Sequence, residues 1–78
     1  MTRNLIAEMV KAGIPANQAA KEVAKAINVS EKTARNKINC VTGFTVPEAV
    51  KINEVFFNGQ KKLDYLFADY AEENALNA

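Results

Sequence analysis

Histidine is absent from this sequence, and cysteine occurs once, at Cys40. The first absence removes the commonest general base and the commonest metal ligand. A single cysteine allows no internal disulfide, and without histidine it also excludes the usual zinc clusters. No two carboxylates are spaced to meet in an apolar pocket of a helix, so no general acid–base pair suggests itself. The adjacent Glu72 and Glu73 fall in a polar end that reads as frayed. An enzyme is therefore not expected, and neither is a cofactor or a metal. No apolar run approaches the length of a membrane span, and the opening "MTRNLIAEMV" carries Glu8 inside its apolar stretch, unlike a signal peptide. The expectation is a cytoplasmic protein without a membrane partner. Repeats and low-complexity segments are missing, and no stretch alternates apolar and polar residues as a half-buried strand does.

What remains is ordinary in amount and uneven in arrangement. Of 78 residues, 49% are apolar and 24% charged, enough for one small folded domain. The net charge of +1 hides an asymmetry. Residues 1–62 hold all ten Lys and Arg against five acids, and residues 63–78 hold four acids and no base. A basic body with an acidic end hints at a polyanionic partner, although a solvated surface has the same composition.

Helical spacing runs through every segment. Leu5, Ile6, Met9 and Val10 predict a helix over roughly 3–12, stopped by Gly13. Pro15 suits the first turn of a second helix, continued by Ala16, Ala19, Ala20, Val23, Ala24 and Ile27. Its alanines let another helix approach closely. Asn28 breaks the pattern and tolerates the left-handed backbone of a sharp turn, with Val29 placed to be buried beneath it. Ser30 is an N-cap for a third helix over 31–39, whose narrow apolar stripe is Ala34 and Ile38. "CVTGFT" reads as a connector. In "TVPE", Thr45 and Glu48 form a capping box that opens a fourth helix over about 46–56. "NG" at 58–59 is a turn, and Leu63, Leu66, Phe67 and Tyr70 belong to a short fifth helix. The expected organisation is one all-α domain over 1–70 and a frayed acidic tail over 71–78.

The stretch "AINVSEKTARNKIN" places a polar helix with Lys32, Arg35 and Lys37 straight after the turn at Asn28. Ala20 to Asn39 resembles the helix-turn-helix of the phage repressor and Cro family, the XRE-type DNA-binding domains. The likeness rests on Val23–Ala24 in the first helix, Ile27–Asn28–Val29 at the turn, and Ser30 to Thr33 as "S-x-x-T". Downstream, "TGFTVPEAVKINEVFF…LDYLF" is similar to short regulators of Gram-positive prophages, and the resemblance covers about residues 4–68. Departures are Lys37 where an apolar residue is usual, Ala20 where a phosphate-binding Gln is common, and Cys40 where a Gly commonly follows. The extra "PANQ" at 15–18 is about one helical turn and moves Gln18 or Asn17 toward the position of the missing Gln.

The resemblance implies a compact five-helix fold like the lambda repressor domain, with its helix-turn-helix at about 20–39. It implies a DNA-binding transcription regulator, a repressor or Cro-like protein, that reads double-stranded operator DNA in the major groove. Base edges would be met by Glu31, Lys32, Thr33 and Asn36. Gln18, Lys21, Ser30, Arg35 and Lys37 would meet phosphates, as would Thr42, Gly43 and Thr45 near the start of the fourth helix. Lys25 is assigned to phosphate or solvent. Such domains usually act as homodimers, and the apolar C-terminal "VFFNGQKKLDYLF" offers a surface for that. A second expectation comes from another class: a protein-interaction module on the same scaffold that modulates a larger repressor, or an antitoxin.

Overall fold

The computed structural model describes residues 2–68. Five α-helices follow one another: α1 (Arg3–Lys11), α2 (Ala19–Ile27), α3 (Glu31–Ile38), α4 (Val46–Phe57) and α5 (Leu63–Leu66). A single 3-10 turn, Ala16–Gln18, precedes α2, and no strand occurs among the described residues. The fold is all-α, as the spacing of apolar residues requires. Tyr70 and the tail over 71–78 lie outside the described residues.

Each helix ends for a local reason. At Gly13 (φ +95°) the chain turns left-handed, and the N–H groups of Gly13 and Ile14 bind the Val10 and Met9 carbonyls. These are the two bonds that close a helix C-terminus. Asn28 adopts φ 59° and ψ 52°, the left-handed conformation that allows only three residues to separate α2 from α3. Thr45 and Glu48 form both bonds of the capping box at the start of α4. The four residues before α2 are not a continuation of its α-helix. Pro15 caps a tighter 3-10 turn, and Gln18, with φ −106° and ψ −6°, separates that turn from the α-helix behind it.

The core is shared by all five helices. Leu5 and Met9 of α1, Val23 of α2, Ala34 of α3, Ile52 of α4 and Leu66 of α5 are completely covered. Ala24 and Ala34 are small, so α2 and α3 pack closely, and α2 also lies against α4. Burying a leucine such as Leu66 contributes about 1.5–3 kcal/mol, which explains how a one-turn α5 stays docked. Phe44 meets Phe67 edge-on at 5.1 Å between ring centres.

Much of the segment Val55–Phe67 is used inside the domain. Phe57, Leu66 and Phe67 are buried, which leaves Val55 and Tyr65 as its exposed large apolar residues, while Val46 and Val50 are exposed on α4. Two polar residues in this region are also covered. Asn53 donates its amide to the Lys61 carbonyl (2.7 Å) and accepts from the Lys61 N–H (3.2 Å), pinning the turn after α4. Glu8 accepts from the Tyr65 hydroxyl at 2.9 Å and lies 3.2 Å from the Lys61 ammonium and 3.5 Å from that of Lys11. Asn4 donates to the Tyr65 carbonyl, so α1 holds α5 by polar contacts as well as by Leu66.

Candidate functional site

Residues 19–38 form two short helices around the turn at Asn28, and α3 is fixed at both ends. At its start the Ser30 hydroxyl accepts from the Thr33 N–H at 3.1 Å and donates to the Thr33 hydroxyl at 2.9 Å. At its end the chain turns left-handed at Cys40 (φ 63°), the position where glycine is common, and Cys40 and Val41 close the helix on the Lys37 and Asn36 carbonyls. The Ile38 carbonyl receives both the N–H and the hydroxyl of Thr2, at 2.9 and 3.1 Å. Thr2 is itself buried, so the first turn of α1 clamps the last turn of α3.

The geometry of the helix then sorts its side chains. At about 100° per residue, Ala34 and Ile38 share the buried side, and Lys32 and Asn36 lie opposite. Lys32 is exposed and Asn36 half-buried. Arg35 and Asn39, both exposed, occupy the flank next to Lys32. Thr33 lies on the other flank, half-buried beside Ser30. Glu31 falls closer to the buried side than to the Lys32–Asn36 line, exposed because it opens the helix, and its carboxylate is 3.5 Å from Arg35. Lys21 and Lys25 are exposed on α2, with Lys25 3.9 Å from Glu22. Lys21 and Lys32 have no ion-pair partner among the described residues. Gln18 is exposed at the start of α2.

Two expected phosphate contacts require correction. Lys37 does not join the exposed cations. Its ammonium donates to the Gly43 carbonyl at 2.8 Å and to Glu48 at 3.0 Å, and its side chain is only 12% exposed. The stem passes Phe44, with the ammonium 5.9 Å from the ring centre. An apolar neighbourhood has thus accepted a lysine by supplying a carboxylate and a carbonyl. Ile38, buried beside it, supplies the apolar contact that Lys37 lacks.

Thr45 cannot offer its N–H to an external anion either, because Glu48 accepts it at 2.9 Å. The anion site at the start of α4 is filled by the helix's own carboxylate. Burial pushes the Glu48 carboxyl up, but the Thr45 N–H and the Lys37 ammonium outweigh it and hold the group below the usual carboxylate range. The Thr42 N–H lies 3.4 Å from the Asn36 carbonyl, and Gly43 is half-buried with its carbonyl on Lys37.

One feature beside α3 was not read from the sequence. A cleft of about 190 Å³ separates the 3-10 turn and the start of α2 from the second half of α3. Its floor is Ile6, Ala19, Ala20 and Ile38, and Asn17, Arg35 and Asn39 stand around it. Asn39 carries no sequence signal beyond its place as the residue after a helix. Thr2 carries none at all, since its partner at Ile38 lies half the chain away. Among the described residues no cluster of His, Cys, Asp or Glu could hold a metal ion, and no helix is long and apolar enough to cross a membrane. No protein-family model, curated protein or solved structure matches this chain.

Proposed function

We propose that this protein binds double-stranded DNA sequence-specifically and regulates transcription in the manner of the phage repressors and Cro proteins, with α3 in the major groove. The observation that carries this reading is the polar side of α3, where Lys32 and Asn36 stand in line opposite the buried Ala34 and Ile38. A helix fixed at both ends presents its side chains in one orientation, and base reading requires that. Lys32 can donate to guanine O6 and N7, and Asn36 can pair with adenine N6 and N7. Glu31 and Thr33 sit at the first turn, where a cytosine amine or a thymine methyl is within the chemistry of their side chains. Lys21, Lys25 and Arg35 are exposed on the same two helices, Gln18 is exposed in the turn before α2, and all four suit the phosphates. Occupation of a promoter by a homodimer would repress it by occlusion.

The test is a selection of bound genomic fragments at about 0.15 M salt, where non-specific attraction is partly screened. A shared, roughly palindromic site is expected. Lys32→Ala and Asn36→Ala should each reduce discrimination at one base position by about 1–3 kcal/mol. No enrichment by a folded protein would remove the base-reading roles.

A second reading draws on the inward turn of Lys37 and the occupied N–H of Thr45, which leave fewer groups for phosphates. On that reading the same exposed face binds a protein, such as a larger repressor or a toxin. It requires that no duplex be retained while such a protein co-purifies.

A further inference from the structure

We infer that the acidic segment 69–78 lies over the polar side of α3 in the protein without DNA, and that a duplex must displace it to reach Lys32 and Asn36. This rests on the reading of α3 as a groove-binding helix and adds a regulation of that same face. The segment holds Asp69, Glu72 and Glu73 and no base. It is a short polyanion carried by the chain itself, and neither the fold nor the base-reading roles use it.

Place, reach and charge select α3 as its seat. The segment follows Ala68, next to the buried Phe67. Phe67 meets Phe44 at 5.1 Å between ring centres, and the Lys37 ammonium of α3 lies 5.9 Å from the Phe44 ring centre. The segment thus starts two side-chain contacts away from α3. Its residues can span at most about 33–36 Å, and α3 is only about 12 Å long, so Lys32 is within reach without any change in the fold. Other exposed cations have acids close by. Lys51 has Glu48 and Glu54 three residues to either side on α4, Lys62 is two residues from Asp64, and Lys11 and Lys61 lie on Glu8. On α2 and α3, Lys21, Lys25, Lys32 and Arg35 are exposed against Glu22 and Glu31 alone, and Lys21 and Lys32 have no ion-pair partner among the described residues. A carboxylate on Lys32 occupies the donors that a guanine edge would take, and the Asn36 amide can donate to it as well. Exposed ion pairs are individually weak, but the segment is held near α3 at an effective concentration in the millimolar range. The cover is therefore partial and lowers DNA affinity about three- to tenfold at low salt. One competitor on one face costs every duplex the same factor, so the choice of site is unchanged while the concentration needed to fill an operator rises.

The experiment uses the full chain with a nitroxide on Asn74→Cys in a Cys40→Gly background, followed by the line widths of the backbone amides. Without DNA, at about 0.05 M salt, the amides of Lys32 to Asn36 should broaden. They should sharpen at about 1 M salt, where charge attraction reaches only about 3 Å, and on addition of a duplex of about 20 base pairs. Neutralising the segment with Asp69→Asn, Glu72→Gln and Glu73→Gln should abolish the broadening and, in the unlabelled chain, raise duplex affinity about three- to tenfold at low salt. Spin-labelled chain mixed with an unlabelled reporter chain should broaden nothing, since the segment acts on its own chain. Unbroadened α3 amides, broadening confined to Val46 and Val50, broadening between chains, or broadening without the gain in affinity would each overturn the proposal and leave the DNA reading standing. If the labelled segment covers α3 but no duplex binds or displaces it, the DNA reading falls and the proposed competition falls with it.

Discussion

Replacing Lys37 by methionine tests whether the inward lysine positions α3 against α4. The ammonium loses a charge-assisted bond to Glu48 at 3.0 Å and a bond to the Gly43 carbonyl at 2.8 Å. The first is a loss of about 1.5–3 kcal/mol and the second about 1 kcal/mol. Against this, methionine needs no desolvated charge and keeps an apolar stem on Phe44, a gain of about 1 kcal/mol. Removing one partner of a buried pair can cost about 3–5 kcal/mol when it orphans the other charge. Glu48 is not orphaned, because the Thr45 N–H and the N-terminus of α4 still hold it. The net expectation is destabilisation by about 1.5–3 kcal/mol, or a fall in Tm of roughly 6–24 °C for a domain of this size. Thermal unfolding followed by circular dichroism measures it, and a double-mutant cycle with Glu48→Gln should show coupling of about 1 kcal/mol. If Lys37→Met melts at or above the wild type, the pair is a tolerated burial of charge and does not lock α3 to α4.

Three further outcomes follow from the same contacts. The Glu8 carboxyl is held below its ordinary range, chiefly by the Tyr65 hydroxyl and then by Lys61, against the opposing effect of burial. A depressed carboxylate stabilises the fold above its unfolded pKa and loses that contribution as pH falls through its folded pKa. Glu8→Gln should therefore flatten the acid side of the stability profile, and an unchanged acid side in denaturant titrations would exclude the Glu8–Tyr65 contact as its source. The Tyr65 hydroxyl is raised by Glu8, so stability should also fall as pH rises past the ordinary tyrosine range, and Tyr65→Phe should remove that loss. Cys40 pays for a left-handed backbone at φ 63°, and Cys40→Gly is expected to raise stability by about 0.5–1 kcal/mol in urea unfolding. An unchanged or lower midpoint would mean that the thiol's own packing outweighs the backbone strain.

The elements of the fold were legible because their signals are local. Gly13, Asn28, Ser30 and the Thr45–Glu48 box mark helix ends by chemistry that acts within a few residues, and all four behave as their positions require. The line of Lys32 and Asn36 opposite the core was legible for the same reason, since Ala34 and Ile38 fix the rotation of α3. The partners of Lys37, Thr2, Asn53 and Glu8 were not. Each is met through tertiary contact, and a charged residue in sequence does not say whether a carboxylate or water will face it. Thr45 held two expectations that exclude each other, a capping-box N–H and a free N–H for phosphate, and the short-range one prevailed. The cleft was hidden because its edges come from the 3-10 turn and the end of α3, which lie far apart in the sequence.

The disposition of charge sets a limit on how one copy could hold DNA. Of the ten basic residues, Lys37 is turned inward, and Lys11 and Lys61 lie on Glu8, which α1 contributes on the side facing α5. The exposed cations of the two helices around Asn28 are Lys21, Lys25, Lys32 and Arg35, and two of these have a carboxylate within 4 Å. With Lys32 on a base edge, the other three neutralise phosphates and give a slope of log affinity against log salt of about −3 on duplex DNA. Such a module is weak at physiological salt, so a regulator built from it needs a second copy on an adjacent major groove. A dimer doubles the number of phosphates and hence the slope, to about −5. The slope on a duplex carrying a selected site, compared with that on a half-site, therefore counts the bound copies. A value near −3 on both would leave α3 as a single reading head and exclude operator binding by a homodimer.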